Sequence, residues 1–600
     1  MATLETLPPA APRAVAAPQD WPALAVPAAR PLDLIGDMLR ARVEAFSSRT
    51  ALSIHEDGRW RTVTYRNLGR RAEVLATRLR RQGLSAGDRV AILSDPRPEW
   101  VVALFAAWRA GAIVVPLDVK LTASELEAIV ADADPRVLFF STAYASTARA
   151  LQKRRPRLAS ILPLEGKPSR STAPSHPIRR PALPRHPENT ALLVYVPGGA
   201  QPKGVMVTYS NLLFQLEQLR GLTKPGPREV FLSTLPLNHL LQLTCGLVGP
   251  LSVGSEVCFA HTLHPADILQ LIRDRGVSQM ITVPLFLKLV KGYLERRVRR
   301  YGPSKQALFR LLLKISGGLP SLRARRWLFG GWAELLDSRL PRFRHFTCGA
   351  AALDPGVARF FERLGLPVYE GYGLTETSPV VAMNSLRHHR AGSVGRALPG
   401  VRVRLLKPEP QAEVGEILTQ GRHVTRGYWG NPEATRELID QDGWLHTGDL
   451  GRIDRNGFLY IVGRVKELIV LGGGKKVHPH DVEAALSQSP LVKEVCVVGD
   501  VSAEGLHAGT EEVCAVVVPQ GAGGAAGPAP SDEAVRAELK TVCERLAAFK
   551  RPTRLLIQRE PLPRSAGGAV ERSRVRQALR DRGRERPAPA FLNVTDVEAI

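Results

Sequence analysis

Between Tyr65 and Phe140 helical and strand patterns take turns along the chain. Tyr65 to Gln82 has apolar residues at helical spacing and stops at Gly83. Arg89–Leu93 is a short apolar run, Glu99 to Ala110 is helical, and Ala112–Leu117 is apolar again. Ser124 to Ala131 then reads as helix and Arg136–Phe140 as strand. Short apolar runs of this kind are what strands buried on both faces look like. Joining them through helices needs the crossover geometry of a parallel sheet. The rhythm predicts an α/β fold whose large N-terminal domain is built of βαβ sheets with helices on their faces. Six hundred residues exceed what one core sustains, so a smaller domain is expected beside it.

The remaining chain divides by texture. Residues 400–462 alternate short strands and turns (Val401–Leu406, Gly415–Leu418, Gly457–Val462), predicting a small β-barrel-like unit that closes the N-terminal domain at 31–464. From 466 to 600 the pattern resets. Helix is expected at Val482–Gln488 and Asp532–Leu546, strand at Val495–Val498 and Val513–Val518, with a Gly/Ala/Pro loop at 520–532. That is an α+β C-terminal domain. Residues 1–30 are rich in Ala and Pro and lack a basic start followed by an apolar run, so they read as a disordered tail. Residues 153–188, basic and Pro-rich, read as an exposed loop. The best apolar stretch, Val101 to Leu117, is broken by Arg109 and Gly111 and is no membrane span.

Charge and cysteines narrow the partners. A net charge of +25 favours anionic ligands: nucleotides, CoA or an anionic lipid surface. No nucleic-acid motif or basic–aromatic pattern accompanies it, so nucleic acid is not expected. The six cysteines are scattered, suggesting neither a disulfide framework nor a zinc site and fitting a reducing cytoplasm. A second basic block spans 284–332. Leu287, Val290, Leu294, Val298 and Tyr301 line one helix face there, and from Lys288 to Arg326 twelve Lys or Arg stand against one acid, Glu295. Two readings stay open: a helix pair with its solvated face outward, or a patch on an anionic membrane surface.

The stretch Tyr369–Thr377 (Tyr-Glu-Gly-Tyr-Gly-Leu-Thr-Glu-Thr) follows an apolar run, Leu364–Val368, that reads as a buried strand. Its glycines let backbone approach a flat ligand beside Tyr372. Thr375 and Glu376 suit a phosphate and a bridging magnesium ion, with Glu376 as the metal ligand. This stretch resembles the Tyr-Gly-x-Thr-Glu signature of the adenylate-forming superfamily: acyl-CoA synthetases, peptide-synthetase adenylation domains and luciferases. Further matches follow in the same order: Pro202-Lys203-Gly204-Val205, Pro236-Leu237-Asn238-His239, Gly349–Leu353, Thr447-Gly448-Asp449 and Gly463–Glu467. Together they span roughly residues 30 to 575 and most resemble long-chain fatty acyl-CoA synthetases.

The resemblance implies activation of a small-molecule acid through an acyl-adenylate to a thioester. Its cofactors would be ATP or acyl-AMP, Mg2+, and CoA or the phosphopantetheine of an acyl carrier protein. By the same resemblance Gly198, Gly199 and Lys203 hold phosphates, while Gly349, Ala350, Tyr372, Gly373 and Thr375 border the nucleotide. Asp449 and Arg464 hold the ribose, and His239 gates the acyl carboxylate. Lys466 is a hinge about which a mobile C-terminal lid swings, bringing Gly472, Gly473 and Gly474 to the thiol side. The small residues at 349–352 favour an apolar acyl group over an amino acid.

Two members of the motif set are broken. The loop Tyr195–Gly204 has Val196, Pro197, Gly199 and Ala200 where the superfamily has hydroxyl side chains, and it is one residue shorter. In Leu562–Arg572, Ala569 stands where a lysine would bridge the carboxylate and the α-phosphate. Losing one preorganised donor slows a step by roughly 10² to 10³-fold. Both breaks fall on the ATP-consuming half-reaction. They leave three readings: an AMP-forming ligase, an enzyme moving preformed acyl-AMP onto a thiol, or a degenerate paralogue that binds and regulates.

Overall fold

The computed structural model describes residues 15–16, 35–56, 58–155, 157–165, 186–196, 202–319, 321–329, 342–471, 476–501, 511–521, 530–564 and 570–585. One sheet takes its strands in the order Ser160–Pro163, Val137–Phe140, Arg89–Leu93, Ile113–Leu117, Thr190–Val196, Lys203–Thr208. All neighbours are parallel except the last pair. The strand alternation feeds two separate cores. Val90, Ile92, Val114 and Phe139 pack with the helices Tyr65–Arg81 and Pro98–Ala110, while Ala91, Leu93, Val115 and Leu138 pack with Ala123–Ala133. Successive side chains point to opposite faces, so continuous apolar strands demand helices on both sides.

A second sheet of nine strands runs from Arg396–Ala397 through Ala382–Met383, Val368–Tyr372, His345–Cys348, Gln279–Thr282, Val230–Ser233 and Glu256–Phe259 to the hairpin Thr50–Glu56 and Arg59–Thr64. Its central strands are parallel. The helices Pro265–Arg275, Pro284–Arg299 and Pro355–Arg363 bury Ile268, Leu287, Val290, Leu294 and Phe361 against it. The small unit is an antiparallel sheet of Arg402–Leu406, Gly415–Gln420, Leu445–Ile453 and Leu459–Arg464. The C-terminal domain pairs Val492–Val501 with Glu511–Pro519 antiparallel, and the latter with Arg554–Ile557 in parallel. Helices Pro479–Leu486 and Asp532–Cys543 cover one face of that sheet and Arg572–Glu585 the other.

Three expectations are revised. The apolar run Leu364–Val368 is mostly a turn: Gly365 has φ +76° and its carbonyl accepts Arg326 Nε at 2.7 Å. The strand begins at Val368 and runs through Tyr372, in register with Phe346–Cys348. Its letters look loop-like because it carries Glu370 and Gly371, yet Tyr369 and Tyr372 are buried in a core cluster. Within 153–188, Ser160–Pro163 is an edge strand, held by the apolar pair Ile161 and Leu162 and tolerating Pro163 at its end; residues 166–185 lie outside the described residues. In the N-terminal tail, Val15 and Ala16 pair with Leu405 and Arg404. Among the described residues no helix is long and apolar enough to cross a membrane. All six cysteines are buried and unpaired.

Candidate active site

Asp449 lies on Leu445–Ile453 and its register partner on the next strand is Arg464. Arg464 Nε donates to Asp449 Oδ1 at 2.8 Å, and the Tyr372 hydroxyl donates to Oδ2 at 2.7 Å. Thr447 Oγ1 accepts the Asp449 amide at 3.0 Å and donates to Ile417 O at 2.7 Å. The carboxylate is only 4% exposed, and burial pushes its pKa up against the pull of Arg464 and Tyr372. Tyr372 packs with Val381, Ala382 and Met383. Tyr372 is 9% exposed and its hydroxyl is engaged by Asp449.

A second constellation sits at the glycine loop. Lys203 opens the strand Lys203–Thr208, and its Nζ lies 5.1 Å from the centre of the Tyr428 ring. The Tyr428 hydroxyl donates to Glu376 Oε1 at 2.8 Å. Backbone bonds from Thr425 N to Glu376 O (2.9 Å) and from Trp429 N to Gly204 O (2.7 Å) lock residues 425–429 onto both motifs. Tyr428 is not singled out by the sequence; an aromatic between glycines carries no spacing signal. Glu376 and Thr375 share the short turn Thr375–Thr377. Gln215, fully buried on the helix Tyr209–Thr223, clamps that turn by donating to Thr377 O at 3.1 Å and Val380 O at 2.8 Å. Among the described residues there is no group of three or more His, Cys, Asp or Glu suited to a metal. A lone carboxylate still fits magnesium, which completes its shell with phosphate oxygens and water and would neutralise their charge when bound. Gly198 and Gly199 lie outside the described residues.

His239 Nε2 is buried without a partner among the described residues, and burial lowers its pKa, so the ring is neutral at pH 7. Gly349 sits where a Cβ would come 3.2 Å from Leu241 and 3.4 Å from Gly371 O. Ala350 adopts φ +70°, the left-handed region. A Cβ on Gly373 would lie 1.9 Å from Pro379 O, so only glycine fits there. Along the same strands a small cavity of about 20 Å³ lies between Leu216, Phe231, Cys245, Ile281 and Met383, with Arg220, Thr223 and Gln279 also at its wall.

Lys466 is exposed in the turn Val465–Glu467, immediately after Arg464 and Val465. Across from it, Arg572 approaches Glu467 at 3.6 Å and Glu483 at 2.6 Å, and Arg564 pairs with Glu494 at 2.8 Å. The two arginines on either side of Ala569 in the sequence, Arg564 and Arg572, are therefore engaged with acids. Gly472, Gly473, Gly474 and Ala569 lie outside the described residues. The structure thus brings Tyr372, Asp449 and Arg464 together, and separately Lys203, Thr375, Glu376 and Tyr428.

Two polar constellations, followed by a small α+β domain, are the arrangement that the adenylate-forming signature implies. The chain belongs to the AMP-binding enzyme family: the family profile matches residues 39–429 and the profile of the AMP-binding enzyme C-terminal domain matches 481–568. It is 32% identical over 472 residues to a long-chain-fatty-acid–CoA ligase from Mycobacterium bovis, covering 74% of this chain and 76% of the relative. It is 30% identical over 522 residues to a feruloyl-CoA synthase from Amycolatopsis, covering 86% of this chain and 94% of that one. Its fold superposes on ATP-bound MatB from Rhodopseudomonas palustris with a TM-score of 0.73 at 26% identity, covering 91% and 99% of the two chains.

Proposed function

We propose that this protein joins a fatty acid to the thiol of CoA through an acyl-adenylate. The observation that carries the reading is the buried Asp449 carboxylate, held from two sides by Tyr372 and Arg464. A carboxylate so fixed can accept both hydroxyls of a ribose, and a net acceptor with a cation beside it suits a nucleoside monophosphate. In this reading Lys203 neutralises phosphate oxygens, Thr375 offers them a hydroxyl, and Glu376 takes the magnesium ion. Gly349 and Ala350 form a small-side-chain border between adenine and acyl group. Neutral His239 shields the reacting carboxylate from water without pairing with it. The small side chains at 349 and 350 leave room for an apolar acyl group, and the fatty-acid ligase among the relatives supports an alkyl chain. Lys466 lies at the pivot that lets the C-terminal domain present first one face and then another to the same acyl group. The location we propose is the cytoplasm, with an anionic membrane surface as a partner, and CoA rather than a carrier protein as the thiol.

The test is a panel of fatty and aryl acids with ATP and CoA, run beside synthetic acyl-AMP with CoA. Thioester from long-chain acids and ATP is expected. Thioester from acyl-AMP alone would move the protein to transfer of preformed adenylates, and thioester from neither sinks the proposal.

A further inference from the structure

The helices after Gln279–Thr282 expose apolar surface that the core does not explain. Ten large hydrophobic side chains are exposed among the described residues, and six of them lie between 285 and 327: Leu285, Leu289, Leu308, Leu311, Ile315 and Trp327. The helix Pro303–Ser316 buries Phe309 and Ser316 on its inner side. Leu308, Leu311 and Ile315, spaced three and four apart, form a second stripe on the outer side and are 48%, 52% and 48% exposed. Trp327, on the helix Leu322–Leu328, is 82% exposed. A helix apolar on both faces belongs inside a core or against another apolar phase. Cations border the stripe: Lys305, Arg310 and Lys314 are exposed on the same helix and Arg323 on the next.

We infer that the Pro303–Ser316 helix and Trp327 form a membrane-docking face that inserts apolar side chains into the surface of an anionic phospholipid bilayer. Charge selects among occupants. The exposed Lys305, Arg310, Lys314 and Arg323 would repel a second copy of this chain brought face to face. Nucleic acid would satisfy the cations but gives leucine and isoleucine nothing. An anionic lipid surface rewards both, headgroups taking the Lys and Arg while the acyl boundary takes the stripe and an interfacial Trp. The inference does not rest on the acyl-activation reading, because docking is read without turnover.

The test is co-sedimentation of the full chain with phosphatidylcholine vesicles with and without phosphatidylglycerol. Binding is expected to the anionic vesicles, to weaken as salt rises from about 0.1 to 0.5 M, and to keep a salt-resistant remainder from the apolar stripe. The triple variant Leu308→Gln, Leu311→Gln, Ile315→Gln should keep its thermal midpoint and lose about tenfold in partitioning. Lys305→Glu with Arg310→Glu should remove the preference for anionic lipid. Absence of vesicle binding, or unchanged binding in the triple variant, overturns the inference. So does a wild-type dimer in sedimentation that the triple variant converts to monomer.

Discussion

Tyr372 and Asp449 lie 77 positions apart in sequence, yet the phenol donates to the carboxylate at 2.7 Å in the interior of the protein. Arg464 takes the other oxygen. Asp449→Asn keeps the shape and removes the charge that both donors serve. Hydrogen bonds to charged groups contribute about 1.5 to 3 kcal/mol, so AMP affinity by calorimetry should fall by roughly ten- to a hundredfold. An unchanged Kd would remove Asp449 from the nucleotide site.

Tyr428→Phe deletes the donor that orients Glu376 and leaves the ring beneath Lys203. The expected signature is an effect confined to the triphosphate: the magnesium concentration needed for half-maximal turnover rises several-fold, while AMP binding stays as it was. Equal losses for AMP and ATP would show Tyr428 to be a packing residue only.

Two backbone positions of the candidate site should respond in opposite directions. Ala350 carries a Cβ at φ +70°, a conformation that strains any side chain, so Ala350→Gly should stabilise the fold by about 1 kcal/mol in denaturant titration. Gly373→Ala places a Cβ against Pro379 O and should abolish nucleotide binding or folding.

Glu370 is 7% exposed, with one oxygen 3.4 Å from the Gly392 amide, and burial raises its pKa from 4.5 to about 7. A carboxyl whose pKa rises on folding lends stability that is complete below the unfolded value and lost as pH climbs through the folded one. Glu370→Gln should therefore match the wild type at pH 4.5. Above pH 7 it should exceed the wild type by up to roughly 3 kcal/mol, since each tenfold gain in proton affinity on folding is worth about 1.4 kcal/mol. Parallel melting curves across that window would contradict the assignment.

Ala569→Lys places a cation where the resemblance to the superfamily leads one to expect it. Arg564 and Arg572 are held by Glu494 and Glu483, so neither is free to substitute without breaking an ion pair. ATP–pyrophosphate exchange with a fatty acid should rise at least about tenfold. No change would mean that the residues 562–572 are aligned wrongly or that this enzyme adenylates by other means.

Much of the frame is readable from residues alone. The first parallel sheet follows from apolar runs too short for helices, and Arg89–Leu93 begins and ends where the pattern says. What misleads is polarity within a strand: Tyr369 and Glu370 read as loop by composition, yet strand pairing overrides composition there and both side chains are buried. Of the candidate site, the paired Asp449 and Arg464 are the residues a motif singles out, whereas Tyr428 and Gln215 carry no such signal. Both act through contacts made only after distant segments fold together, and local spacing holds no record of such contacts.

The bonds that join Gly204 to Trp429 and Val205 to Tyr428 stitch the glycine-loop strand to a segment more than two hundred positions downstream. During synthesis the pocket has no existence until the Asp449–Arg464 hairpin has left the ribosome, roughly three-quarters of the way along the chain, because such non-local closures form late. Until then the emerging polypeptide carries an unfinished sheet edge and no ligand to hold it, which makes this the interval in which a chaperone has most to protect.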